Sequence, residues 1–152
     1  MNDGMKKRYL VYARESEMDI HDVLHEISIE DQVEACKKHV EKIGGVVTKI
    51  ITDKNCSGRS IERPGYQTLF DYYNFYSDRF NGVVVYEMKI LTTSIDQLME
   101  IFVKSEYDRK DLISVKEMDD DYSRDRRLMV LLNNILELSQ YNKTSKDEGK
   151  AI

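Results

Sequence analysis

Gly82-Val83-Val84-Val85-Tyr86 is the stretch on which the fold turns. Three consecutive valines show no polar alternation, so both faces of the strand they form must be covered, which is the condition of an interior strand in a parallel sheet. Upstream, residues 8–13 form a second short strand, with Tyr9-Leu10-Val11-Tyr12 uninterrupted by any turn residue, and residues 46–52 form a β-branched third. Downstream, residues 112–115 supply a fourth.

Helical patterns separate these strands. Ser28 is placed as an N-cap with Asp31 three residues on, and Ile29, Val33, Cys36, Val40 and Ile43 line one face of a helix that stops at Gly44-Gly45. Pro64, the sole proline, opens another helix, and residues 95–103 give a third. Strand and helix alternate at the spacing of crossover units. The consistent fold is an α/β three-layer sandwich with a mainly parallel central sheet of four to five strands. A long last helix over residues 123–141 carries Leu128, Leu131, Leu132, Ile135 and Leu138, with Met129, Val130 and Leu136 as a second apolar set. One face is expected to cover the domain and the other to meet a second copy, giving a homodimer. The polar tail, residues 142–152, is expected to fray.

Composition bounds the function. The chain has 152 residues, 34% of them charged, and a formal net charge of −5, so bulk electrostatics cannot hold it on nucleic acid and any DNA contact must be local. One domain spanning residues 1–141 accounts for the length. Cys36 and Cys56 read as free thiols rather than a disulfide framework. No stretch approaches the roughly 20 apolar residues of a membrane span, and no leader is evident, so a cytoplasmic location without membrane contact is expected. His21 and His25 stand four apart, but no third ligand cluster accompanies them, and neither a metal nor a cofactor is expected. Gly44-Gly45 and Ser57-Gly58 lack phosphate-loop spacing. Tyr66, Tyr72, Tyr73, Phe75 and Tyr76 recur at helical spacing and read as packing surface rather than a base-stacking platform.

The chemistry lies at the carboxyl ends of the strands. Arg14 and Ser16 are two apart after the first strand, so a continued extended backbone would point both side chains the same way. Tyr12-Ala13-Arg14-Glu15-Ser16, Ser28-Ile29-Glu30-Asp31-Gln32, Asp53 with Ser57-Gly58, and Glu62-Arg63-Pro64-Gly65 follow in order between the expected elements. This succession resembles the catalytic domain of the serine recombinases, the resolvase and invertase group, from about Arg8 to about Ile135. The resemblance implies a serine, here Ser16, that attacks a DNA phosphodiester and forms a 5′-phosphoserine link without metal or ATP. Arg14 and Arg63 match the family's phosphate-binding arginines, and Gln32 matches a polar residue that helps hold the site.

The match then departs from the family. After the third strand the family has a Leu-Asp-Arg-Leu run with a second Arg three residues after the first. Here Lys89 holds the Asp position, and Ile90 and Thr93 hold the two Arg positions. The family's Glu-Arg pair in the long helix has no clear counterpart around Gln140, Tyr141 and Asn142. Strand exchange is therefore expected to be absent or very slow. The alternative is an active recombinase that draws charge from Lys89 and Arg59. No separate DNA-reading module is expected. Phosphate contact would fall to Arg124, Arg126, Arg127, Lys143 and Lys146, unless Asp119, Asp120 and Asp121 pair with those arginines. A phage or mobile-element setting, with an intact recombinase as a possible partner, follows by analogy.

Overall fold

A computed structural model describes residues 5–15, 27–54, 63–118 and 121–150, with 141–150 as backbone only. Among the described residues four strands, β1 (Arg8–Glu15), β2 (Val46–Lys54), β3 (Gly82–Val85) and β4 (Asp111–Ser114), form one sheet. Their order is β2-β1-β3-β4, and every pairing is parallel. The three valines that decide the fold are wholly buried, as an interior strand covered on both sides requires.

The helices are α1 (Ile29–Lys42), α2 (Pro64–Phe75), α3 (Met88–Leu91), α4 (Ile95–Tyr107), α5 (Val115–Met118) and α6 (Arg124–Lys150). Strand periodicity sorts them into layers. Tyr9, Val11, Val84 and Ile113 face α1 through Cys36 and Val40, whereas Leu10, Tyr12, Val83, Val85 and Leu112 face the other way, against α2, α4 and α6. Ser28 caps α1, its hydroxyl accepting from Asp31 N at 3.1 Å. Gly44 stops that helix at φ +78°, a conformation glycine adopts without penalty.

Several boundaries depart from the sequence pattern. β1 and β2 each run two residues further, to Glu15 and Lys54. Val115, expected in the fourth strand, instead begins α5. Neither α3 nor α5 carries a legible period, because each is a single turn held by tertiary contacts. The last helix runs on to Lys150 into the segment expected to fray, and the helix has no proline and a single glycine, Gly149, next to its last residue. At 27 residues it is about 40 Å long.

The two apolar sets of α6 also divide differently. Val130, Leu131, Ile135 and Leu138 pack on the domain, and Leu128, Met129, Leu132 and Leu136 are exposed. Expected sets mixed these residues, because the apolar residues between Leu128 and Leu138 spread round the helix and leave no sharp moment from which to read its inner face. Among the described residues no helix is long and apolar enough to cross a membrane.

Candidate active site at the carboxyl end of the sheet

β1 is an interior strand, but β3 pairs with it only as far as Val11. Beyond that point Gln32 acts as the missing neighbour: its carboxamide oxygen accepts from Arg14 N at 3.2 Å and its amide donates to Arg14 O at 2.9 Å. The same amide also donates to Ile27 O at 3.2 Å, tying the chain before α1 to the strand end. Gln32 thus fixes the backbone from which the Arg14 side chain departs.

Arg14 and Arg63 come from elements far apart in sequence and end on the same short helix. The Arg14 guanidinium donates to Ile90 O at 2.9 Å and to Lys89 O at 2.7 Å. Arg63 donates to Leu91 O at 2.9 Å, to the Tyr12 hydroxyl at 3.3 Å and to Gln97 Oε1 at 3.3 Å. The three carbonyls among these acceptors belong to α3 and lie towards its C-terminus, where the partial negative charge of a helix collects. Both arginines are 0% exposed. Arg63 also lies 4.0 Å over the Tyr66 ring, and its Nε is buried without a hydrogen-bond partner. Its backbone is extended at φ −116°, ψ 104°, as proline at the next position demands, and this aims the side chain beneath α3.

Asp53 organises the other side of the site. Its carboxylate accepts from the Tyr12 hydroxyl at 2.6 Å, Gly65 N at 2.7 Å and Tyr66 N at 2.9 Å. It thereby caps α2 from a distant strand, the local N-cap residue, Arg63, having no side-chain cap bond. Gly65 is required here, since a Cβ would stand 2.9 Å from the Asp53 carboxyl and 2.8 Å from Thr52 O. Desolvation pushes the Tyr12 hydroxyl far above the usual phenol range, with Arg63 opposing and the Asp53 bond reinforcing the shift. Tyr12 is therefore a neutral donor to the carboxylate.

Arg14, Arg63 and Gln32 are together. Ser16, Ser57, Gly58, Arg59, Glu62, His21, His25, Cys56, Asp119 and Asp120 lie outside the described residues. Ile90 is fully buried in the core, Thr93 is half-buried, and Lys89 reaches Glu137 of α6 at 2.9 Å. On α6, Arg127 is half-buried and bonded to Glu106 at 2.8 Å and to Tyr122 O, Arg124 lies 3.8 Å from Glu106, and Arg126 donates to Glu117 O at 2.9 Å. Among the described residues, the acid that Arg124 and Arg127 reach is thus Glu106 of α4. Asp121 accepts from Ser123 N at 2.9 Å, and its bonds with Ser123 lower its pKa. Lys143 and Lys146 lie on the last turns of α6, where only the backbone is described.

Sequence reasoning missed Tyr12, Gln97, Glu117 and Glu137. Gln97 Oε1 accepts from Thr92 Oγ1 at 2.6 Å as well as from Arg63, and Glu117 accepts from Met88 N, Ser114 Oγ and Asn134 Nδ2. Only the resemblance could have pointed to such residues, because a lone polar side chain on an otherwise apolar face reads as solvent-exposed.

Beside this cluster, Glu87 is buried and its carboxyl pKa is raised, first by desolvation and against the pull of Lys116 at 3.5 Å. A raised folded value means stability is favoured below the unfolded pKa near 4.5 and is lost as the pH climbs from there through the folded value. Glu87→Gln should therefore flatten the fall in urea midpoint across that window and leave the protein no less stable at pH 7.

The chain's likenesses agree with this geometry. The model of the resolvase N-terminal domain matches residues 9–149. The N-terminal catalytic domain of TP901-1 integrase is 27% identical, with a TM-score of 0.67 over 93% of this chain and 98% of that one. A resolvase family site-specific recombinase from Streptococcus pneumoniae shares the fold at 18% identity, with a TM-score of 0.67 and 96% of each chain covered. The C-terminal catalytic domain of an IS607-like serine recombinase shares it at 16% identity, with a TM-score of 0.55 over 91% of this chain and 99% of that one. Comparison with curated proteins gives no significant match.

Proposed function

Since this chain belongs to the resolvase family and is a serine-recombinase domain related to site-specific DNA recombination, we propose that it has lost efficient strand exchange and acts by association. The association is with a second copy through α6, with an intact recombinase, or weakly with DNA. One observation carries the reading: Arg14 and Arg63, the retained phosphate-binding positions, are buried on the carbonyls of α3, while Lys89, Ile90 and Thr93 stand where the family has an acid and two further arginines. A phosphate entering this site would meet few free guanidinium donors. Ser16 remains the nucleophile if any cleavage survives.

For association, the support is the outward stripe of α6. Leu128, Leu132 and Leu136 recur every four residues, with Met129 beside them, and all four are exposed. A helix that leaves such a stripe in water is best satisfied by an equivalent helix. Local DNA contact would rest on Arg124 and Arg126, the exposed arginines at the start of α6, with Lys143 and Lys146 further along it.

The double variant Leu132→Glu/Leu136→Glu is the test. Sedimentation equilibrium should show a dimer for the unaltered chain and a monomer of unchanged helix content for the variant. A chain that is monomeric before substitution, and that does not co-purify with an intact recombinase, would remove the association reading.

A further inference from the structure

Between α6 and the two buried arginines lies α3, a single turn held from three directions. Its N-terminal amide, Met88 N, donates to Glu117 Oε1 at 2.8 Å, and the other oxygen of that carboxylate accepts from Asn134 Nδ2 of α6 at 2.9 Å. Its Lys89 side chain forms an ion pair with Glu137 of α6 at 2.9 Å. Its carbonyls at Lys89, Ile90 and Leu91 receive Arg14 and Arg63. One residue, Lys89, therefore touches α6 with its side chain and Arg14 with its backbone.

We propose that α3 is a latch: α6, gripping it through Lys89–Glu137 and Asn134–Glu117, holds the α3 carbonyls on Arg14 and Arg63 and so keeps both guanidinium groups from any phosphate. The inference rests on the phosphodiester reading above and adds its regulation. A four-residue helix cannot hold itself together, since nucleating a turn fixes several dihedrals for one hydrogen bond. Its position is set by its neighbours, and α6 is the neighbour with the fewest ties to the sheet. When α6 moves away, the ion pair opens, α3 loses one of its supports, and the arginines exchange carbonyl oxygens for a charged acceptor. That exchange is favourable because a bond from guanidinium to an anion is about twice as strong as one to a neutral carbonyl. The Lys89–Glu137 pair is partly exposed, with side-chain exposures of 29% and 58%, so it can open without unfolding the core.

The test reads the accessibility of Arg14 and Arg63 directly, by phenylglyoxal modification of the full chain followed by peptide mass spectrometry. In the unaltered protein both should react far more slowly than Arg124. Glu137→Gln should raise their rates by roughly two- to fivefold, the range expected for losing a partly exposed ion pair. Glu137→Lys, which sets like charges together, should raise them further, and the charge-swapped Lys89→Glu/Glu137→Lys should return them towards the starting rate. Rates that stay unchanged in Glu137→Lys would overturn the latch. So would rates that rise only in proportion to lost global stability, as judged from urea melts of the same variants, or that the swap fails to restore. Inorganic phosphate and a short DNA duplex, added to Glu137→Lys, separate the two readings. If the arginines are released but neither ligand protects them, the phosphodiester reading fails and the latch stands.

Discussion

Relaxation of supercoiled plasmid by this chain should be at least about 10³-fold slower than by a relative carrying the full arginine set, since each missing pre-organised donor costs about 10²–10³ in rate and the losses combine less than additively. On the alignment that the resemblance implies, two donors are replaced, at Ile90 and Thr93, and Lys89 reverses the sign of the acid the family places beside them. Lysine offers a point charge without the planar fork, and its ammonium already has Glu137 at 2.9 Å. Simple restoration should not work. Ile90 is 0% exposed, so Ile90→Arg would bury a third guanidinium next to Arg14 and should unfold the domain or shift α3. Thr93→Arg, at a half-buried position, should fold and yield at most a partial gain in nicking. Time courses of nicked and relaxed plasmid for the unaltered chain and for Thr93→Arg check this, and plasmid relaxation by the unaltered chain at the relative's rate would refute it.

Among side-chain truncations, the largest stability effect should come from Asp53→Ala. The substitution removes three acceptor contacts at once and leaves the Tyr12 O–H, Gly65 N–H and Tyr66 N–H donors without their acceptor in a buried site. Each orphaned buried group costs about 1–3 kcal/mol, and a lost helix cap is part of that sum, so about 4 kcal/mol is expected in total. At about 2–4 °C per kcal/mol for a domain of this size, the melting temperature should fall by roughly 10 °C. Asp53→Asn retains one acceptor oxygen and should cost less. Urea melts followed by circular dichroism measure both, and an Asp53→Ala midpoint equal to that of the unaltered chain would show that the carboxylate is not organising α2.

What was readable from sequence followed physical period. Val83-Val84-Val85 had to be an interior strand, and α1 showed its inner face because Cys36 and Val40 recur at helical spacing among charges. The single turns α3 and α5 were invisible, having neither length nor period. The inner face of α6 was lost for a different reason, apolar residues spread all round its turns from Leu128 to Leu138, and only packing decided that Val130 turns in and Leu132 out. At the site, residue types and spacing singled out Arg14 with Ser16, and the resemblance to the serine recombinases added Arg63 and Gln32. That the guanidinium groups rest on the carbonyls of residues 89–91 could not be read there, because a backbone oxygen has no signature in the sequence. Glu137 was equally hidden, since nothing near it in the chain reveals that Lys89 lies within reach.

The most direct measurement is a quenched incubation with supercoiled DNA resolved on a denaturing gel, where a covalent protein–DNA band reports attack by Ser16. The band should be absent, or present only in traces that Ser16→Ala removes, while the chain still sediments as a dimer. A band that reaches stoichiometric amounts within minutes and vanishes in Ser16→Ala would show strand cleavage intact, and the account of a site closed by α3 would be contradicted.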